Sequence, residues 1–154
     1  MTRKSQKPAF VGTDDDDTFR GDAQGNLVRG NGGNDTLTGA RGNDRIYGDD
    51  GDDVLRGGAD DDRLWDGAGD DQLFGGAGDD VLHIVAGNDT VDGGNGDDIL
   101  VLDGNYADWQ VLQGGGETGE PYVLERGDQT VTFDSIELVR FDDGVFDTDW
   151  NGPL

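Results

Sequence analysis

Between Gly12 and Val101 an apolar side chain returns at every ninth residue. The segment divides into ten blocks of nine with no insertion or deletion, as in Gly30-Asn-Gly-Gly-Asn-Asp-Thr-Leu-Thr38 and Gly75-Gly-Ala-Gly-Asp-Asp-Val-Leu-His83. The eighth position is apolar in all ten: Phe19, Val28, Leu37, Ile46, Leu55, Leu64, Leu73, Leu82, Val91 and Leu100. A fixed period of this kind marks one structural unit per repeat, stacked as a solenoid. Positions seven to nine read as a three-residue strand, with position eight inward and its neighbours outward. Gly holds the first position in eight blocks and the fourth in seven. Glycine there supplies turn conformations closed to residues with a Cβ.

The period stops at residue 101 and the character of the chain changes. Residues 102–154 hold Tyr106, Trp109, Tyr122, Phe133, Phe141, Phe146 and Trp150, seven of the twelve aromatics. Alternating stretches at Tyr122–Arg126 and Thr130–Phe133 read as antiparallel strands joined at Gly127-Asp128. A solenoid needs a cap that ends its stacking, and this aromatic segment is placed to supply one. The chain is therefore expected to be all-β. Residues 1–11 would form an N-terminal tail or cap, 12–101 the repeat array, and 102–154 an antiparallel β cap.

Composition changes the picture by showing what the array lacks. Only 32% of the 154 residues are hydrophobic, Gly reaches 29, and the formal net charge is -24. Such a balance by itself predicts disorder. One inward apolar side chain per nine residues is too little to offset the entropy of ordering them. Another source of stability is needed, and the acid bias names it. There are 31 Asp against 4 Glu, the latter being Glu117, Glu120, Glu125 and Glu137. Asp is short enough to converge with turn carbonyls on a hard cation. It fills the sixth position in nine of ten blocks (Asp17, Asp35, Asp44, Asp53, Asp62, Asp71, Asp80, Asp89 and Asp98), with Asn26 the exception. Position five adds Asp16, Asp52, Asp61, Asp70, Asp79 and Asp97.

At these residues the chain resembles the repeats-in-toxin family, whose nonapeptide is G-G-x-G-x-D-x-U-x. The resemblance covers residues 12–101. It implies a right-handed parallel β-roll of five coils, each made of two nonapeptides, with Ca²⁺ between successive turns on both edges. Asp17, Asp35, Asp53, Asp71 and Asp89 then stack along one edge, and Asp44, Asp62, Asp80 and Asp98 along the other. The ligands implied are these carboxylates together with loop glycines: Gly30, Gly32, Gly33, Gly39, Gly42, Gly48, Gly51, Gly57, Gly69, Gly75, Gly78, Gly87, Gly93 and Gly96. Four gaps per edge give roughly eight sites. Eight divalent ions would bring the formal charge from -24 to about -8. The reading is a folding switch, unfolded without calcium and folded with it. The weakest sites are expected at the N-terminal end, where the first block lacks Gly at position four and the second carries Gln24 and Asn26. Block seven opens with Asp66 and block nine with Ile84-Val85, which are further departures.

In the family the C-terminal flank also carries an uncleaved signal for type I export, which implies a secreted, extracellular protein and the type I machinery as a partner. The final Asn151-Gly-Pro-Leu154 lacks the hydrophobic ending of some members. Absence of Cys excludes disulfides and thiolate metal sites. The basic start Met1–Pro8 has no apolar stretch after it, unlike a Sec-type signal peptide. No apolar run is long enough for a transmembrane helix. The strong acidity argues against nucleic acid as a partner.

Three functional classes remain to weigh. Catalysis is not expected: no H-E-x-x-H or G-x-S-x-G is present, and the only serines are Ser5 and Ser135. An EF-hand fits poorly, because the repeats contain no Glu to close its loop. A calcium-dependent binding module for an anionic polysaccharide such as alginate is the rival. Arg29, Arg45, Tyr47, Arg63, Trp65 and His83 fall at outward positions of alternate strands, where they form one face. The plainer reading is that the arginines neutralise neighbouring Asp columns and the rings cover a thin sheet. A self-assembling extracellular structural role is a third possibility. Arg126-Gly127-Asp128 spells an adhesion tripeptide, but a hairpin turn accounts for it.

Overall fold

Successive blocks place their strands in two facing sheets in turn. The computed structural model describes residues 9–113 and 121–147; Met1–Pro8, Glu117, Glu120, Trp150 and Asn151–Leu154 therefore lie outside the described residues. The strands of the repeat array are β1 (Ala9–Val11), β2 (Thr18–Arg20), β3 (Leu27–Gly32), β4 (Thr36–Arg41), β5 (Arg45–Asp50), β6 (Val54–Ala59), β7 (Arg63–Ala68), β8 (Gln72–Ala77), β9 (Val81–Ile84), β10 (Asn88–Asn95) and β11 (Ile99–Leu102). After a short 3₁₀ turn at Tyr106–Asp108 come β12 (Gln110–Gln113), β13 (Tyr122–Arg126), β14 (Gln129–Asp134), β15 (Leu138–Phe141) and β16 (Gly144–Asp147). One sheet runs β1-β3-β5-β7-β9-β11-β15-β16 and the other β12-β13-β14-β10-β8-β6-β4-β2. The result is an all-β solenoid of about five coils with an antiparallel end.

Within each sheet of the array the strands are parallel and offset by two nonapeptides. Leu37 pairs with Leu55, Leu55 with Leu73 and Leu73 with Val91 in one sheet. Val28, Ile46, Leu64, Leu82 and Leu100 follow one another in the other. The position-eight side chains from Val28 to Leu100 are buried and form the core between the sheets. Phe10 extends this column by pairing with Val28, and its ring stacks on Phe19 with centroids 4.5 Å apart.

The strands are longer than the three residues expected from sequence. β3 to β8 each span six residues, positions seven to nine of one block and one to three of the next. The physical reason is that alternation continues beyond position nine, so position one also points inward. The left-handed backbone falls accordingly at positions two and four, rather than one and four. Position two includes Ala40 at φ 91° and Gly58 at 124°, and position four includes Gly51 at 131° and Gly69 at 141°.

The aromatic segment continues the coil before closing it. β14 pairs parallel with β10, and β15 parallel with β11, which places Val131, Phe133, Val139 and Phe141 in the core. The expected hairpin is present: β13 and β14 are antiparallel about Gly127, at φ 62°. β12 on β13 and β16 on β15 are antiparallel as well, so neither sheet offers its last coil strand as a bare parallel edge. Arg126 lies 4.8 Å from the Trp109 ring centroid and donates to Gln129, so its side chain is engaged in this cap.

Candidate metal centre

Each turn is filled by its own sixth-position carboxylate. Position six is followed by an inward position eight, so alternation turns position six inward too. Asp35, Asp44, Asp53, Asp62, Asp71, Asp80, Asp89 and Asp98 are at most 2% exposed. They join in two ladders along the edges of the roll. On one edge the N–H groups of Asp17, Asp35, Asp53 and Asp71 donate to Oδ1 of Asp35, Asp53, Asp71 and Asp89 respectively, at 2.7–3.0 Å. On the other, Asn26, Asp44, Asp62 and Asp80 donate to Oδ1 of Asp44, Asp62, Asp80 and Asp98 at 2.5–2.8 Å. The two columns are those expected from sequence.

Position five forms a second ladder in the opposite sense. Here the carboxylate of one turn accepts from the turn that follows it: Asn34 N–H to Asp16, Asp70 to Asp52, Asn88 to Asp70, and Asp97 to Asp79, at 2.7–3.1 Å. These groups are exposed, in contrast to the sixth-position ladder. Successive turns are thus stapled once inside and once outside.

The inner ladder uses one oxygen of each carboxylate. Oδ2 of Asp35, Asp53, Asp62, Asp71, Asp80, Asp89 and Asp98 is buried with no hydrogen-bond partner. A buried carboxylate oxygen with no partner is costly. Burial accordingly pushes Asp62, Asp71 and Asp80 up to about 7, and Asp53 and Asp89 up to about 6; a backbone N–H opposes this and neighbouring Asp charges add to it. Asp35 and Asp98 move in the same direction for the same first cause.

The position-one glycines stand against these oxygens. A Cβ at Gly75 would lie 2.5 Å from Asp80 Oδ2 and 2.5 Å from the Gly93 carbonyl oxygen of the next coil. Gly30, Gly39, Gly48, Gly57 and Gly93 likewise face the sixth-position carboxylate of their own block. A carboxylate oxygen and a main-chain carbonyl from two coils therefore converge at one place, with oxygen donors alone. That donor set fits a hard cation such as Ca²⁺ and gives a soft metal nothing to prefer. The position-four glycines (Gly33, Gly42, Gly51, Gly69, Gly78, Gly87 and Gly96) instead stack on backbone of the preceding turn. Gly32 has open surroundings, the nearest atom to an added Cβ being Asp14 Cα at 3.7 Å.

The first coil differs. Asp17 is only half-buried, and its Oδ2 accepts from the Thr13 N–H and hydroxyl at 2.6 and 3.0 Å. Asn26 Oδ1 accepts from the Asp22 N–H at 3.1 Å. These oxygens are already occupied.

Two acidic residues escaped the sequence reading. Glu137 Oε2 accepts the Asp98 N–H at 2.7 Å, so it acts as a sixth-position residue for a twelfth unit, the strand β15 that follows β11 in its sheet. The available signal was an acid two residues before the apolar Val139. Asp66, at position one, points inward where eight of the ten blocks carry Gly. It lies with Asp71 and Asp89 in a group whose ligand atoms are within 4.8 Å of one another. Period-two alternation through position nine would have found it.

The basic and aromatic face is assembled as a ladder. Tyr47 stacks on Trp65 with centroids 4.5 Å apart, and Trp65 on His83 at 4.8 Å. Arg29 lies 4.9 Å from the Tyr47 ring centroid and pairs with Asp49 at 3.1 Å. Arg45 and Arg63 are neighbours in register beside the ladder, and both are exposed. The rings lie face to face and cover one another.

Among the described residues no helix is long and apolar enough to cross a membrane. No curated protein matches the chain. The family model for the RTX calcium-binding nonapeptide repeat (4 copies) matches residues 11–46, 47–82 and 86–105, more than half of the chain. The matched segments carry the stacked turns, the inward apolar column and the buried Asp ladders just described. On those grounds the chain belongs to the RTX calcium-binding nonapeptide repeat family.

Proposed function

We propose that this module folds when calcium fills its turns, and that the switch supports secretion and folding outside the cell. The observation that carries this reading is the set of buried, unpartnered Oδ2 atoms of Asp35, Asp53, Asp62, Asp71, Asp80, Asp89 and Asp98. Without a cation these oxygens oppose the fold that buries them. When bound, calcium supplies positive charge and coordination to oxygens that hydrogen bonding leaves unsatisfied. The Asp side chains reach the gap between turns, the inner ladder fixes their Oδ1 atoms, and the position-one glycines keep the space open.

About eight ions fit the gaps between five coils, with the weakest binding at Asp17 and Asn26, whose oxygens are already hydrogen-bonded. Equilibrium dialysis against calcium, with magnesium as control, tests the reading. Several calcium ions per chain, with magnesium much weaker, is the expected result; no bound calcium contradicts it. In a cell, low cytosolic calcium would hold the chain unfolded for export. A protease-resistant form of the chain inside the producing cell would contradict that part.

A second reading rests on the exposed pair Arg45 and Arg63 beside the ring ladder. They offer two positive charges in register to an anionic polysaccharide. The rings themselves are spent on one another, which leaves charge as the main attraction. Replacing Arg45, Arg63 and Trp65 together should abolish retention on alginate in calcium. Unchanged retention, or none by the unaltered chain, rules the idea out.

A further inference from the structure

We propose that Asp66 turns the repeat's gap between Asp71 and Asp89 into a three-carboxylate cation site, which binds hard cations more tightly than the other gaps do. The repeat brings sixth-position carboxylates from two coils toward each gap, and places Gly at position one to leave room. In block seven that glycine is replaced by Asp66, only 1% exposed, whose carboxylate projects into the same gap. Asp71 and Asp89 are 1% and 2% exposed, and the Oδ2 atom of each has no hydrogen-bond partner. Among the described residues this is the one group of three acidic side chains whose ligand atoms lie within 4.8 Å of one another.

The backbone has made room for it. The ladder between β7 and β9 stops after Trp65 pairs with His83 and resumes only at the bridge between Ala68 and Ala86. In the opening, the Val85 N–H donates to Asp66 Oδ1 and Oδ2 at 3.0 and 3.1 Å. The Gly67 N–H donates to Asp66 Oδ1 as well, at 2.5 Å, so two main-chain groups hold the carboxylate in place. Ile84, also buried, takes the position-one place of the next coil, where most blocks carry glycine. Three carboxylates buried this close together can all ionise only with a cation of high charge among them. A divalent ion leaves one charge uncompensated, and a trivalent lanthanide compensates all three. Affinity at oxygen sites rises with the number of charged ligands, so this site should fill first.

The proposal rests on the reading of the turns as calcium sites, and one experiment separates the two. Trp65 precedes Asp66 in the chain and serves as a local antenna for bound Tb³⁺. Terbium is titrated into the full chain held in calcium, with emission excited through tryptophan. The expected result is a phase saturating at about tenfold lower Tb³⁺ than the remainder. That phase should be absent in Asp66→Gly and Asp66→Asn, while both variants keep the calcium-dependent circular dichroism of the unaltered chain. Trp65→Phe should lose the emission without losing the bound ion. An unchanged tight phase in both Asp66 variants overturns the proposal and leaves the calcium reading standing. A chain that binds no calcium in equilibrium dialysis overturns both.

Discussion

The main-chain N–H of Asp62 donates to Oδ1 of Asp80 at 2.8 Å, and the second oxygen of that carboxylate is buried without a partner. This relation, repeated along both edges, joins one coil to the next and leaves each join incomplete. The bond that aligns the turns is made by a group whose other oxygen is left without a partner. On the proposed reading, folding and calcium binding are properties of the same atoms.

Acid should act on the calcium-free chain in the direction opposite to its usual effect. Burial holds Asp62, Asp71 and Asp80 at about 7 and Asp53 and Asp89 at about 6, against an ordinary 3.8 for an exposed Asp. A carboxyl whose folded pKa is raised favours folding when protonated. The contribution is complete below 3.8 and is lost as pH rises through 6 to 7. In chelator, β structure should therefore increase as pH falls from 8 toward 4. Circular dichroism across that range checks it, and a flat or falling β signal counts against the buried, unpaired carboxylates.

Asp80→Asn should have effects of opposite sign with and without calcium. It keeps the side chain's size and an oxygen for the Asp62 N–H, but removes the charge. In saturating calcium it should destabilise the roll by about 1–3 kcal/mol, by analogy with other lost buried polar partners. In chelator it should make folding easier, because one buried charge is gone. A denaturant melt in calcium and the pH at which β signal appears in chelator measure the two effects, and a loss of β structure in both would mean that Asp80 acts only by packing.

Glycine-to-alanine changes separate close approach from mere turn composition. Gly75→Ala brings a Cβ to 2.5 Å from Asp80 Oδ2 and from Gly93 O, and should cost about 1–3 kcal/mol with weaker calcium binding. Gly32→Ala meets nothing nearer than 3.7 Å and should change stability by less than about 0.5 kcal/mol. Thermal melts of the two variants in calcium are the comparison. Equal losses would show that glycine is needed for some reason other than space at position one.

Ala40 holds φ at 91°, in the left-handed region, while Gly58 carries the equivalent position one coil later. A Cβ there is strained by about 1–2 kcal/mol. Ala40→Gly should stabilise the calcium-loaded roll by about 1 kcal/mol, less whatever the freer unfolded chain takes back. A lowered melting temperature in calcium would show that the strain is not real.

Much of this was legible because side chains mark direction. Leu37, Leu55 and Leu73 repeat at a fixed period, and their inward column follows from alternation alone. The pairing of Asp17, Asp35, Asp53, Asp71 and Asp89 along one edge followed from the two blocks per coil that the family resemblance implies. Strand length was misjudged because position one is glycine, which has no side chain to show which way it points. Asp66 and Ile84 carried that information and read instead as defects of the motif. Glu137 was hidden by the hairpin inserted between it and Asp98, which breaks the register that sequence spacing relies on. The stacking of Tyr47, Trp65 and His83 needs ring orientations, which spacing does not supply.

The most direct test of the central claim is a calcium titration of the whole chain followed by far-ultraviolet circular dichroism, with magnesium as control. The account predicts a cooperative rise in β signal with calcium at neutral pH, reversed by chelator and absent with magnesium. A chain equally folded in chelator at neutral pH would contradict it, because the buried Asp oxygens would then need no cation to be tolerated.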